Sequence, residues 1–141
     1  MSAEGVRLSG WALVLGASSG FGEATSLALA RAGLHIFGVH LDRKATLPNA
    51  DRIAAEIRRL GREAHFFNVN AADPEKRAEV AGQMQKTLEE RGEAGTLRVL
   101  LHSLAFGTLK LYVADPLKDA VTQAQMDMTL DVMAHSLVYW T

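Results

Sequence analysis

Residues 11–23 read Trp-Ala-Leu-Val-Leu-Gly-Ala-Ser-Ser-Gly-Phe-Gly-Glu, and this stretch decides the fold. Its first five residues are apolar, as in a short β-strand that is covered on both faces. Three glycines follow, and an alanine-rich helical pattern over Phe21–Arg31 overlaps the last of them. A strand, a glycine loop and a helix in this order place the backbone amides of a helix N-terminus where a pyrophosphate can bind.

Each glycine of this loop has its own expected role. Gly16 allows the turn, Gly20 allows close approach of a ligand, and Gly22 allows the helix to pack against the strand. Ser18 and Ser19 add hydroxyl donors. The other interpretation is a glycine-rich turn that binds nothing, but the position directly after the first buried strand favours a ligand site. A Walker-type phosphate loop is excluded, because no Gly-Lys-Ser/Thr is present.

Strand and helix patterns alternate along the rest of the chain. We expect further strands at Leu34–His40, Ala64–Val69 and Leu97–Leu101, and further helices at Asp51–Leu60, from Pro74 to Gly92 and from Thr122 to Thr141. Gly33 is typical of a C-cap, and Asp73 before a proline is typical of an N-cap. The order β-α-β-α-β-α-β-α predicts an α/β fold, a doubly wound parallel Rossmann sheet, in a single domain over residues 1–141.

The composition excludes several classes of function. The chain has 141 residues, 48% hydrophobic and 22% charged, with a net charge of -1 and no cysteine. A nucleic-acid partner needs a positive excess, so we expect none, and no apolar run is long enough to span a membrane. The lack of cysteine removes disulfides, thiolate nucleophiles and cysteine-type zinc sites. We expect a cytoplasmic protein without a metal site.

Two motifs carry a resemblance to a known family. The spacing Gly-x-x-x-Gly-x-Gly resembles that of the short-chain dehydrogenases/reductases, and the resemblance extends over essentially the whole chain. In that family the third strand ends in an Asp-Val pair that contacts the adenine, where this chain has Asn68 and Val69. The fourth strand usually ends in Asn-Asn-Ala-Gly, where this chain reads His-Ser-Leu-Ala-Phe-Gly over residues 102–107.

The second of these motifs is similar to the enoyl-acyl-carrier-protein reductases of type II fatty-acid synthesis. Met133 takes the position of the helix asparagine that supports a proton relay in the wider family, and the enoyl reductases also lack that asparagine. The resemblance therefore implies NAD(P)H-dependent reduction of the C2=C3 double bond of an acyl group bound to acyl carrier protein or to coenzyme A. It also implies a homo-oligomer. A 3-oxoacyl or other carbonyl reductase and a non-catalytic dinucleotide-binding module remain as alternatives.

The candidate site residues lie at the carboxyl ends of the four strands and in the segments that follow them. Small residues after the fourth strand permit close approach of the nicotinamide ribose. Phe106 is expected either to line a pocket or to pack in the core, and His102 is expected to pack within its strand. The expected cofactor-binding residues are Gly16, Ser18, Ser19, Gly20, Phe21, Gly22, His40, Arg43, Asn68, Val69, Ser103, Leu104 and Ala105.

The end of the second strand bears on the choice between NAD(H) and NADP(H). An acidic residue about 20 positions after the glycines favours a free ribose 2′-hydroxyl, whereas a basic residue accommodates a 2′-phosphate. His40 stands where the acid is first sought, and Asp42 is a second candidate for that role. Arg43 and Lys44 either pair with a phosphate or are solvated loop charges. We expect NADP(H) rather than NAD(H).

The family resemblance also implies a catalytic tyrosine and lysine, which the chain does not supply. The family spacing is Tyr-x-x-x-Lys, or a lysine six or seven residues after the tyrosine in many enoyl reductases. Tyr112 precedes Lys118 by six residues, but in the loop straight after the fourth strand, so we exclude this pair. Tyr139 has only two residues after it. We expect no catalytic residue within the chain, which corresponds to the N-terminal part of a larger enzyme domain and is expected to be inactive alone.

Overall fold

The computed structural model describes residues 6–141, and these form two compact units, the first ending at Ser103 and the second beginning at Leu104. The first unit alternates strands and helices. Its elements are β1 Trp11–Leu15, α1 Gly20–Ala32, β2 His35–His40, α2 Leu47–Arg59, β3 Ala64–Asn68, α3 Pro74–Glu90 and β4 Leu97–His102. No helix within residues 6–141 has the length and apolar character needed to cross a membrane.

The four strands form one parallel sheet in the order β3-β2-β1-β4. At their carboxyl ends, Leu15 is paired with Val39 and with His102, and His40 is paired with Asn68. The strand order reverses between β1 and β4, and ligands of open α/β sheets bind outside the strand ends at such a switch point. The predicted doubly wound α/β fold is confirmed.

The core explains why the first strand is so uniformly apolar. All five residues of β1 are buried. The side chains of Ala12 and Val14 join the cluster that α1 and α2 cover, where Ile53 and Ile57 are also fully buried. Alternate residues of a strand face opposite sides of the sheet. On the other face the ring of Trp11 stacks on that of Phe37 with centroids 4.2 Å apart.

Several element boundaries differ from the prediction. The largest difference is in α2, which begins at Leu47 rather than at Asp51 and has no acidic residue in its first turn. β2 begins at His35, because the amide of Leu34 donates to the carbonyl of Leu29 and so belongs to the C-cap of α1. β3 ends at Asn68, one residue early, and β4 continues through His102.

The second unit consists of a helix and the segment before it. A 3₁₀ turn at Leu117–Asp119 precedes α4, Gln123–Leu130, and the predicted capping box is confirmed because Thr122 and Gln125 exchange both hydrogen bonds. The predicted single helix to Thr141 is wrong in detail. Residues Asp131–His135 form a π-helical segment, and α5 covers Ser136–Tyr139. The Ser136 hydroxyl donates to the Val132 carbonyl at 2.7 Å, a bond that competes with the regular helical ladder.

Candidate functional site

The glycine loop starts against the neighbouring strand. The amides of Gly16 and Ala17 both donate to the carbonyl of Val39, at 2.8 and 3.0 Å. The backbone of Gly16 has a φ of +88°, a left-handed conformation that favours glycine. These contacts hold the first turn of the loop at the end of β2, so the loop leaves β1 toward the helix along a defined path.

Gly22 is the position that requires glycine most strictly. A Cβ atom at this position would lie 1.8 Å from the carbonyl oxygen of Gly16 and 2.7 Å from its carbonyl carbon. Both are backbone atoms, so no side-chain movement relieves the overlap. The predicted role of Gly22 in helix-to-strand packing therefore has a direct geometric basis, although its role in binding stays a prediction.

The N-terminus of α1 presents amides that fit an anion. Ser19 is the N-cap in an extended conformation, and the first helical bond runs from Glu23 to the carbonyl of Ser19. The preceding amides of Gly20, Phe21 and Gly22 have no helical acceptor. Gly20 has a φ of +54° and open space around the position of a Cβ atom. An open approach and free helix amides are what a pyrophosphate requires.

Residues of α2 hold this loop from the side. The Asn49 side-chain amide donates to the carbonyl of Ser18 at 2.5 Å and to the carboxylate of Glu23 at 3.3 Å. Arg52 forms an ion pair with Glu23. The hydrogen bond from Arg52 lowers the pKa of Glu23, against the opposing effect of burial. Sequence reasoning missed Asn49 and Arg52, because the predicted start of α2 left Asn49 in a loop.

His40 and Asp42 form a close pair at the end of β2. The Nδ1 atom of His40 lies 2.8 Å from Oδ2 of Asp42, and the two side chains are only 3% and 10% exposed. Burial tends to raise the pKa of Asp42, but hydrogen bonding from Ser18, Thr46 and His40 lowers it overall. An ionised carboxylate only accepts hydrogen bonds, so the proton of this pair is on Nδ1 of His40.

Asn68 is bonded to the backbone of the same loop. Its Oδ1 atom accepts from the amide of Asp42 at 2.8 Å, and its Nδ2 atom donates to the carbonyl of Asp42 at 3.0 Å. The amide of Val69 donates to the carbonyl of His40 at 2.8 Å. The predicted residues His40, Asn68 and Val69 therefore lie together, and Asn68 acts on the loop after β2. Its predicted contact with adenine stays a prediction.

The residues after β4 fall in both units. The amide of Ser103 donates to the carbonyl of Leu15 at 2.8 Å, which places Ser103 at the carboxyl end of the sheet. In the second unit, a Cβ atom at Gly107 would lie 2.5 Å from Cγ2 of Thr129, and Thr129 Oγ1 accepts from the amide of Thr108 at 3.0 Å.

The side chains singled out in the same part of the sequence take different places. Phe106 is 56% exposed, so the interpretation as a core aromatic is wrong, and His102 lies half-buried at the end of β4. Tyr112 is in an irregular segment and Lys118 in the 3₁₀ turn, which agrees with the exclusion of this pair. The hydroxyl of Tyr139 donates to Asp131 at 2.7 Å. Leu104 and Ala105 begin the second unit, and their contact with a cofactor stays a prediction.

Together, the parallel sheet, the glycine loop at its switch point and the free amides of α1 define a nucleotide-binding α/β protein of the Rossmann type. The model of the short chain dehydrogenase family matches residues 10–141. The chain therefore belongs to the short chain dehydrogenase family. Members of this family use an NAD(P)-type dinucleotide cofactor.

Individual relatives agree with this assignment. An uncharacterized oxidoreductase of Mycobacterium tuberculosis (strain CDC 1551 / Oshkosh) is 38% identical over 72 residues, which are 51% of this chain and 26% of that protein. The promiscuous reductase LugOII, which catalyses keto-reduction at C1 during lugdunomycin biosynthesis, is 27% identical with a TM-score of 0.75; the match covers 96% of this chain and 50% of LugOII.

L-Sorbose reductase from Gluconobacter frateurii, solved with NADPH and L-sorbose, is 19% identical. Its TM-score of 0.72, over 96% of this chain and 46% of that one, shows a shared fold. The chain spans about half the length of the solved relatives it matches, at 50% and 46% of their chains.

Proposed function

We propose that this chain forms the dinucleotide-binding part of an enzyme that reduces the C2=C3 double bond of an enoyl thioester with NAD(P)H. The acyl group is carried by acyl carrier protein or by coenzyme A. The observation that carries the proposal is the segment His-Ser-Leu-Ala-Phe-Gly over residues 102–107, which begins with the last residue of β4, the strand next to the switch point. Its first residues sit at the carboxyl end of β4, where Ser103 is hydrogen-bonded to Leu15.

The chemistry of this segment suits an acyl substrate beside a nicotinamide. Ser103 and Ala105 are small, so they let a ring and a thioester approach the backbone. Phe106 is more than half exposed, which leaves an aromatic surface for an apolar chain. Hydride supply is the chemistry of the bound nicotinamide. The residues of this chain bind and orient it, and we place the catalytic groups outside the 141 residues.

For the cofactor we propose NADP(H) over NAD(H). The adenosine end is assigned to His40, Arg43, Asn68 and Val69, and the pyrophosphate to Ser18, Ser19 and the backbone of residues 20–22. Support comes from the exposed cations Arg43 and Lys44 in the loop after β2. A doubly charged 2′-phosphate gains from cations of this kind, whereas a neutral 2′-hydroxyl does not.

Carbonyl reduction is the second candidate. It is favoured by the match to LugOII, a keto-reductase that is 27% identical to this chain. The two candidates share the dinucleotide site and differ in the bond that receives the hydride. Only the substrate that the enzyme reduces distinguishes the two candidate functions.

The experiment uses the longest natural polypeptide that contains this sequence, because the chain spans about half of its solved relatives. Oxidation of NADPH is followed with crotonyl thioesters of acyl carrier protein and of coenzyme A, and in parallel with acetoacetyl thioesters. We expect turnover of the crotonyl thioester. Turnover of the ketone with none of any 2-enoyl thioester would establish the carbonyl reductase instead.

A non-catalytic dinucleotide-binding module is tested on the 141-residue chain itself. A module of this kind must bind NADPH tightly on its own, so calorimetry that gives tight binding without any turnover by the longer polypeptide would favour it.

We also propose that the active form is a homo-oligomer. Light scattering of the longer polypeptide measures this directly, and a monomer at working concentration would contradict it.

A further inference from the structure

The loop after β2 holds Asp42 in an unusual way. Its backbone amide and carbonyl are both engaged by the side chain of Asn68, at 2.8 and 3.0 Å. Its carboxylate lies 2.8 Å from Nδ1 of His40 and is only 10% exposed. The aspartate is therefore restrained through its backbone and through its side chain.

This restraint limits what Asp42 can do for a ligand. An acid that recognises a ribose 2′-hydroxyl must offer a free carboxylate oxygen to it. To reach a ligand, the carboxylate of Asp42 would have to leave the hydroxyls of Ser18 and Thr46 and the ring of His40, whose side chain is only 3% exposed. A buried donor without a partner is costly, so the inward position is favoured.

The next two residues carry the opposite charge. Arg43 and Lys44 are exposed, and neither forms an ion pair with another residue in the described part of the chain. The backbone of Arg43 is fixed, because its carbonyl accepts from the amides of Thr46 and Leu47 at 2.9 and 3.0 Å. In this loop the carboxylate of Asp42 is therefore held inward, whereas the side chains of Arg43 and Lys44 are exposed.

We propose that His40 is a positioning residue that sets the cofactor preference of this chain. By holding the carboxylate of Asp42 inward, it removes the group that would select a free 2′-hydroxyl and leaves Arg43 and Lys44 to select an adenosine 2′-phosphate. His40 acts through Asp42 and need not touch the ligand. This inference rests on the proposed function, because it concerns the same dinucleotide site.

The test compares two probes that differ only in the 2′-phosphate, namely 2′,5′-ADP and 5′-AMP, by calorimetry on the 141-residue chain. The wild-type chain should prefer 2′,5′-ADP. His40→Phe keeps a ring of similar size beside Phe66 but removes the donor to Asp42. Without His40 only the hydroxyls of Ser18 and Thr46 still bond the carboxylate. It can then turn to accept from a 2′-hydroxyl and repel a 2′-phosphate, so we expect the preference to fall about tenfold.

His40→Asn is the matched variant, because its side-chain NH₂ group can take the place of the Nδ1 donor. We expect its preference to stay within about twofold of wild type. A purely structural role would weaken both probes equally in His40→Phe and leave their ratio unchanged, which would overturn the inference. Preference of the wild-type chain for 5′-AMP would overturn it as well.

A third variant covers the case in which His40→Phe does not fold. Asp42→Asn keeps an acceptor for His40, so 5′-AMP should bind as it does to wild type. A loss of about tenfold in 5′-AMP affinity would show that Asp42 binds the ribose hydroxyl directly and would overturn the inference. Failure of the wild-type chain to bind either probe is a different result, because it contradicts the proposed dinucleotide site itself.

Discussion

Asn49 and Ser18 are joined by a hydrogen bond of 2.5 Å between a side-chain amide and a main-chain carbonyl, across 31 residues of sequence. The same amide reaches Glu23 in the first turn of α1, and Glu23 is paired in turn with Arg52 of α2. One helix therefore braces the loop that precedes another. A loop braced before the ligand arrives loses less conformational entropy when the ligand binds.

Asn49→Ala should weaken dinucleotide binding by about fivefold, since it removes a bond worth roughly 1 kcal/mol that orders the glycine loop. The measurement is calorimetry with NADPH on the 141-residue chain. Asn70→Ala is the control, because Oδ1 of Asn70 also accepts a loop hydrogen bond, from the amide of Ala72, but away from the glycine loop. Equal loss of binding in both variants would contradict the bracing role.

Gly22→Ala should abolish measurable binding and lower the free energy of unfolding by about 2–4 kcal/mol, because the new methyl group overlaps the backbone of Gly16. Urea unfolding followed by tryptophan fluorescence measures the second effect. Gly82→Ala in the middle of α3 is the matched control, since a Cβ atom there meets nothing within 4 Å. That variant should stabilise the chain by about 0.5–1 kcal/mol. A destabilised Gly82→Ala together with a neutral Gly22→Ala would refute this geometry.

His35 should make the first unit less stable in mild acid. Burial lowers its pKa from the usual value of 6.5, and the charge of Arg91 lowers it further, against the carboxylates Glu63 and Glu93. Its Nδ1 atom accepts from the amide of Glu63 at 2.8 Å, which requires that nitrogen to be unprotonated. The unfolded state therefore binds a proton more readily than the folded state does. The stabilisation is complete above about pH 6.5 and is lost as the pH falls through the lower pKa of the folded state.

His35→Asn keeps an acceptor for Glu63 and cannot titrate, so it should flatten this dependence. The expected difference is small, about 0.5 kcal/mol between roughly pH 7.5 and pH 5.5, because solvent reaches the ring. The check is urea unfolding at both pH values. His135→Asn, which changes a histidine in the second unit, is the control. If the free energy of unfolding of His35→Asn changed with pH as much as that of the wild type, His35 would not be the source of the pH dependence.

Thr129→Val should loosen the segment that follows β4. The Thr129 hydroxyl accepts from the amide of Thr108 and donates to the carbonyl of Gln125, and valine has the same shape without the hydroxyl. We expect hydrogen exchange of the Thr108 amide to accelerate by about fivefold, as for a lost bond of roughly 1 kcal/mol. Thr87→Val is the control, because Thr87 makes only the second kind of bond, to Gln83. Equal hydrogen-exchange protection of the Thr108 amide in the wild type, Thr129→Val and Thr87→Val would show that the Thr129 hydroxyl does not hold this segment.

Local signals predicted the fold well. The buried run Trp11–Leu15, the C-cap at Gly33 and the N-cap at Asp73 depend on neighbours in sequence, and the structure contains all three. The start of α2 escaped prediction because its N-cap, Thr46, makes no side-chain cap and has helical backbone angles. Without a capping signal, the helix was predicted to begin at the first acidic residue, Asp51.

The candidate site was predicted only as far as single loops allow. The glycine spacing indicated the roles of Gly16 and Gly22, since each role follows from the loop alone. His40 and Asp42 stand two apart, yet their pairing depends on Asn68, which reaches the loop only because β3 lies beside β2 in the sheet. Contacts of this kind depend on tertiary packing, so the periodicity of the sequence does not predict them.

The π-helical segment at Asp131–His135 affects how this chain should be compared with other members of its family. The amide of Ser136 donates to the carbonyl of Asp131, five residues earlier. A π turn holds one residue more than an α turn, so side chains beyond it are rotated by about 100° relative to an uninterrupted helix. A sequence alignment that counts straight through the segment therefore assigns side-chain directions wrongly on one side of it. The correspondence between Met133 and the family's helix asparagine has to be judged by direction around the helix axis, with an offset of one position.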